Sequence, residues 1–130
     1  MSVFADTSPS LEFPALRDPR RPVHRIAAQL DPYLRLLVER FRPDKIILFG
    51  SQASGKADEH SDVDLLIVRR GIVSERASNL EIRHAFDEIP GVPPPFTLLS
   101  KTPERIAERI AARSPFYEDI VLGGVTLYAA

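Results

Sequence analysis

Lys45 to Val68 reads KIILFGSQASGKADEHSDVDLLIV, and this stretch decides the fold. Lys45–Phe49 (KIILF) is a short apolar run bounded by Arg42-Pro43-Asp44 and by Gly50, which predicts a buried strand. Asp62–Val68 (DVDLLIV) predicts a second strand, so residues 50–61 form a polar loop with room for one helical turn. Gly50 admits dihedrals and close backbone approaches that a side chain forbids. Ser51 adds a hydroxyl, and free N–H groups at the start of a helical turn suit phosphate oxygens. Alternation along a strand puts Asp62 and Asp64 on one face, roughly 6 to 7 Å apart along the backbone. Val63 and Leu65 then point the other way, into the core.

Two carboxylates side by side repel each other unless something positive sits between them. A hard divalent cation with oxygen ligands meets that need, and Mg²⁺ typically keeps waters and takes substrate phosphates as well. Two metals about 3.5 to 4 Å apart can clamp the attacking and leaving oxygens of a phosphoryl or nucleotidyl transfer. D-x-D at a strand start is common by itself, and Gly-Ser is commoner still. The conjunction points to chemistry: apolar strand, Gly50-Ser51, a ten-residue spacer, then Asp62-x-Asp64 leading into LLIV.

Outward from this stretch, an apolar stripe at Val23, Ala27, Leu30, Leu34, Leu37 and Phe41 predicts helix from about residue 23 to 41. Pro32 interrupts it. Asp31-Pro32 fits a cap and first residue of a second helix, and the unbroken stripe fits one kinked helix. Downstream, residues 72–89 predict a helix and Phe96–Ser100 a third strand. Thr102-Pro103-Glu104 and Ser114-Pro115 open two further helices. Gly123-Gly124 stops the second of these, and Val125–Tyr128 predicts a last strand. The order is α/β or α+β with a mixed sheet flanked by helices.

The sequence has 130 residues, 17 basic and 18 acidic side chains, net charge −1, and no cysteine. This predicts one domain and rules out disulfides, thiolate metal sites and a cysteine nucleophile. Near-neutrality argues against a general nucleic-acid or acidic-membrane binder, although a local basic groove is compatible with it. No stretch approaches the ~20 apolar residues of a membrane span. The first residues carry acids and no apolar run, which predicts a cytoplasmic protein without a secretory signal. Prolines at 9, 14, 19 and 22 interrupt any regular period, so residues 1–21 are expected to form a flexible N-terminal extension. Phe4, Leu11, Phe13 and Leu16 are its candidate anchors.

G-S-x10-D-x-D between two apolar strands resembles the signature of the polymerase-β-type nucleotidyltransferase superfamily, and the small size resembles its minimal nucleotidyltransferase (MNT) branch. The resemblance covers about residues 25–130, including Gly124–Tyr128 (GVTLY), and makes 22–130 the expected domain. It implies transfer of a nucleoside monophosphate, AMP from ATP above all, to an acceptor, with Mg²⁺ required and pyrophosphate released. By matching position, Gly50 and Ser51 would hold the triphosphate, and Asp62 and Asp64 would bind metal. Small members often pair with a helical HEPN-type protein, the MNT protein acting as antitoxin and adenylylating its partner. A chain of this length leaves little room for an acceptor domain of its own.

Two departures stand out. The family often reads G-S-R-A-R-G where this chain reads Gly50-Ser51-Gln52-Ala53-Ser54-Gly55, so both basic positions are neutral. The family's third carboxylate, at the start of the next strand, aligns with Thr97. Asp87, Glu88 and Asp119 lie elsewhere along the chain. Two readings follow: an Mg²⁺-dependent nucleotidyltransferase, or a nucleotide- or partner-binding module that transfers nothing. The expected partners are an NTP and a HEPN-like protein, with neither membrane nor sequence-specific nucleic acid; a homo-oligomer is compatible. His60, beside the D-x-D strand, and Arg69-Arg70 after it are secondary candidates.

Overall fold

β-Branched and leucine-rich runs that cannot stay in water build the centre of the molecule. In a computed structural model, which describes residues 13–58 and 60–130, Lys45–Phe49 forms β1 and Val63–Val68 forms β2. They pair antiparallel, with Lys45 opposite Val68 and Phe49 opposite Asp64. Phe96–Lys101 (β3) runs parallel to β2, and Val125–Ala129 (β4) runs antiparallel to β1. The result is a mixed four-stranded sheet in the order β3-β2-β1-β4. A parallel neighbour needs a crossover, and the segment between β2 and β3 supplies it as a helix, Glu75–Phe86. That helix starts at Glu75 rather than residue 72, because the Ser74 hydroxyl accepts the Ala77 N–H at 3.0 Å and fixes the cap.

Strand alternation gives the sheet two unlike faces. One carries Ile46 and Leu48 of β1, Val63, Leu65 and Ile67 of β2, Phe96 and Leu98 of β3, and Val125 and Leu127 of β4. All are buried, under the helix Ala27–Leu36 and the crossover helix. Tyr33, Phe86 and Phe96 meet there with ring centroids 4.9–5.1 Å apart, within the favourable range for aromatic pairs. The opposite face holds a smaller cluster of Ile47, Leu66 and Val68, capped by Ile120, with Ile106 and Leu99 beside it. Ile106 comes from the helix Pro103–Ala111 and Ile120 from Pro115–Gly123. Thr102 caps the first of these by accepting the Arg105 N–H at 3.1 Å. Beyond this cluster, the same face continues to Asp64 on β2 and Thr97 on β3, which lie side by side in register.

In chain order the helices are α1 (Pro14–Arg17), α2 (Ala27–Leu36), α3 (Ser51–Ser54), α4 (Glu75–Phe86), α5 (Pro103–Ala111) and α6 (Pro115–Gly123). A 3₁₀ turn (Pro22–Ile26) leads into α2, and a π-helical turn (Leu37–Phe41) leaves it. Helix α2 continues through Pro32 as one helix. Leu30, Tyr33, Leu34 and Leu37 are all buried, so apolar contact on both sides of the proline outweighs the one backbone bond it removes. Asp31 therefore caps nothing. Its carboxylate pairs instead with Arg35 at 2.7 Å and Arg17 at 3.2 Å.

The core does not begin at residue 22. Phe13 is fully buried and Leu16 is 1 % exposed, both in the main cluster with Leu30 and Leu127. The prolines that break any period in this stretch also start α1, where Pro14 is the first helical residue. Phe4 and Leu11 lie outside the described residues. Phe13→Ala is expected to destabilise the protein by about 3–5 kcal/mol, as for other fully buried aromatics. Urea unfolding measures this; a loss below about 1 kcal/mol, typical of surface sites, would show that residues 13–21 are not part of the core.

Candidate active site

The site is built where β1 and the start of β2 meet. At the end of β1 the chain turns through Gly50 with φ 74° and ψ −156°, a conformation essentially restricted to glycine. A second constraint acts at the same atom. A Cβ on Gly50 would collide with Asp64 Oδ2, with Asp64 Cγ at 3.1 Å. Asp64 lies opposite Phe49 in the antiparallel pair, so its carboxylate is laid against the bare backbone of the next residue, Gly50.

Gly50 then opens α3, a single turn. Its carbonyl accepts the N–H groups of Ala53 and Ser54, both at 3.1 Å, and the Ser51 carbonyl accepts those of Gly55 and Lys56. Gly55, at φ 87°, ends the turn. The N–H groups of Ser51 and Gln52 have no backbone partner among the described residues, and such groups are the donors that phosphate oxygens accept. Gln52 is buried, its side chain touching the Ser61 carbonyl at 3.5 Å and accepting from the Arg25 guanidinium at 3.3 Å. A cation thus reaches this turn, but from the 3₁₀ turn before α2. No local pattern could reveal that, since Arg25 lies 27 positions upstream.

The loop into β2 is shaped by Asp58, which accepts from the His60 N–H at 2.8 Å and the Ser61 hydroxyl at 3.2 Å. These bonds, the backbone one first, hold the Asp58 carboxyl below its usual range. Asp62 follows, exposed, one residue before β2 begins. The Thr97 hydroxyl donates to Asp62 Oδ2 at 3.1 Å. Asp64 is half-buried, and burial pushes its carboxyl above the ordinary 3.8; the nearby Thr97 hydroxyl opposes the rise and the Asp62 charge adds to it. Among the described residues, neither carboxylate forms an ion pair with an arginine or lysine.

The structure thus brings Gly50, Ser51, Asp62 and Asp64 to one end of the sheet, with Thr97 in register beside Asp64 and hydrogen-bonded to Asp62. Among the described residues, no third carboxylate joins them in a metal-binding group. Glu88 is held by Arg40 through two bonds of 2.7 and 2.9 Å, at the far end of α4. Among the described residues, no three His, Asp or Glu side chains form a metal-binding group. Asp119 sits nearer. It lines a cleft of about 300 Å³ whose walls also include Phe49, Gly50 and Phe116. The sequence contained no signal for that placement, because α6 reaches Gly50 only by folding back over β1. Arg69 and Arg70 take structural roles at the other end of β2: Arg69 binds Ser78 Oγ at 2.7 Å and stacks on Phe41, and Arg70 pairs with Asp44 at 2.7 Å.

Two outcomes are expected from this geometry. Gly50→Ala cannot keep both its backbone conformation and the Asp64 carboxylate in place, so it should destabilise the fold by about 1–3 kcal/mol in urea titration. Asp64→Asn should have the opposite effect at pH 7. A carboxyl whose pKa is higher in the folded than in the unfolded state makes stability fall as pH rises through the interval between those two values. Removing the charge lifts that penalty at neutral pH. The gain should vanish as pH falls below the ordinary carboxylate value, where both states of wild type are protonated. An Asp64→Asn variant that melts below wild type at pH 7 would contradict this account.

The comparisons agree with the geometry. The profile described as "Nucleotidyltransferase domain" matches residues 31–123, which contain β1, α3, β2 and β3. A protein of Methanocaldococcus jannaschii, provisionally named a protein adenylyltransferase, is 45 % identical over 49 residues. The matched region is 36 % of this chain and 33 % of that relative, so the chain spans about a third of the relative's length. With the family pattern extending over most of its length, the chain belongs to the nucleotidyltransferase domain family.

Proposed function

We propose that this chain transfers AMP from ATP to a hydroxyl of a partner protein, with Asp62 and Asp64 holding Mg²⁺ and the Gly50-Ser51 turn holding the triphosphate. The observation that carries the reading is the Asp64 carboxylate lying on the Gly50 backbone, which places the acidic pair beside the open N–H groups of α3. In the reaction the acceptor oxygen bonds to the α-phosphorus, the bond to the β-phosphate oxygen breaks, and pyrophosphate leaves. The hydroxyl proton passes to solvent.

The donor set fits Mg²⁺. It consists of hard carboxylate oxygens, one of them half-buried and carrying an energetic cost of ionisation that a cation would offset. When bound, the ion would neutralise charge developing on the phosphates. The chain's own contribution is positioning. Gly50 permits close approach, Ser51 and Gln52 supply donors, and the sheet holds the acids at its end. A protein acceptor is supported by the name of the M. jannaschii relative and by the resemblance to MNT antitoxins that adenylylate a HEPN-type partner.

A second reading, a binding module, is favoured by one observation. Thr97 stands beside the two acids where the family has a third carboxylate, and none of the described acids replaces it. Incubation of the chain with α-labelled ATP, Mg²⁺ and the partner protein separates the two. Label is expected on the partner, falling at least about 100-fold in Asp62→Asn or Asp64→Asn. γ-Labelled ATP should leave the partner unlabelled. Partner binding without ATP affinity and without transfer would overturn the enzyme and leave the module.

A further inference from the structure

Asp62 is exposed and lies outside β2, so only its local contacts decide where its carboxylate points. Repulsion from Asp64 drives it away from the pair when no cation is present. The Thr97 hydroxyl opposes that drift, donating to Asp62 Oδ2 at 3.1 Å from a position directly in register with Asp64. Thr97 is itself well fixed. It lies within β3, between the buried Phe96 and Leu98, and its branched side chain has few rotamers.

We propose that Thr97 is the positioning residue of the cation site: its hydroxyl keeps Asp62 converged on Asp64 and so sets the affinity of the pair for a divalent cation. This rests on the reading that Asp62 and Asp64 bind a cation. Without that bond, the two carboxylates would have to be brought together when the ion arrives, and affinity would fall by that cost. In this role Thr97 ligates nothing. It acts through Asp62, as hydrogen-bond partners of metal ligands commonly do.

The test uses the full chain with Mn²⁺ as probe and no nucleotide, free Mn²⁺ being read by electron paramagnetic resonance. Thr97→Val keeps the branched shape and a strand-favouring side chain but removes the donor. Thr97→Ser keeps the donor. The valine variant is expected to bind Mn²⁺ about tenfold more weakly than wild type. The serine variant should stay within about threefold, because a hydroxyl remains to make the bond. Melting temperatures of all three should agree to within about 2 °C, since a half-exposed hydrogen bond adds little to stability.

Equal Mn²⁺ affinity in Thr97→Val and wild type would overturn the proposal, as would a serine variant as weak as the valine one. Asp62→Asn is the control for the underlying reading. If wild type takes up no Mn²⁺, the acidic pair is not a cation site and both readings fall. If Asp62→Asn abolishes uptake while Thr97→Val leaves it intact, only the role of Thr97 falls.

Discussion

The contact between the Gly50 backbone and the Asp64 carboxylate is the constraint on which the site depends. It ties two strands at their ends, since Gly50 follows β1 and Asp64 belongs to β2. It also joins two kinds of chemistry. The turn that begins at Gly50 presents backbone donors, and the strand that carries Asp64 presents negative charge. A side chain at residue 50 would push these apart. The antiparallel register, with Phe49 opposite Asp64, makes the contact unavoidable once β1 and β2 pair.

The unequal faces of the sheet explain how this end stays open. One face is closed completely by α2, α4 and the N-terminal Phe13 and Leu16. That large cluster carries the stability. The other face is covered only over Ile47, Leu66 and Val68, by α5 and α6. The candidate-site carboxylates, Asp62 and Asp64, lie past the edge of this cover, with β3 on one side. Asp64 is costly to ionise there, and the large apolar face on the other side of the same strand supplies the stability that tolerates it.

Much of this was legible from residues alone. KIILF and VDLLIV form strands, Asp62 standing one residue before the second, because short apolar runs of this length bounded by turn residues suit a buried strand. Gly50 and the D-x-D spacing of Asp62 and Asp64 marked the candidate site, because backbone freedom and sequence spacing are local properties. Helix α4, the cap at Thr102 and the stop after Gly123 were equally local. Pro14, Pro19 and Pro22 disrupt periodicity and pointed to a flexible extension; Phe13 and Leu16, its candidate anchors, pack into the core through contacts distant in sequence. Pro32 left two readings open, and burial on both sides of it decides for one continuous helix.

By itself, then, the sequence determined the strands, the glycine turn and the placing of two acids at the start of the second strand. These follow from side-chain period, backbone freedom and charge, all of which act over a few residues. Only the tertiary structure decided what surrounds the pair. It set Thr97 beside Asp62 and Asp64 through parallel pairing, brought Arg25 to the α3 turn from 27 positions away, and placed Asp119 on the wall of the cleft by Gly50. Each of these neighbours is chosen by how faces bury against one another, and burial couples residues without regard to their separation along the chain.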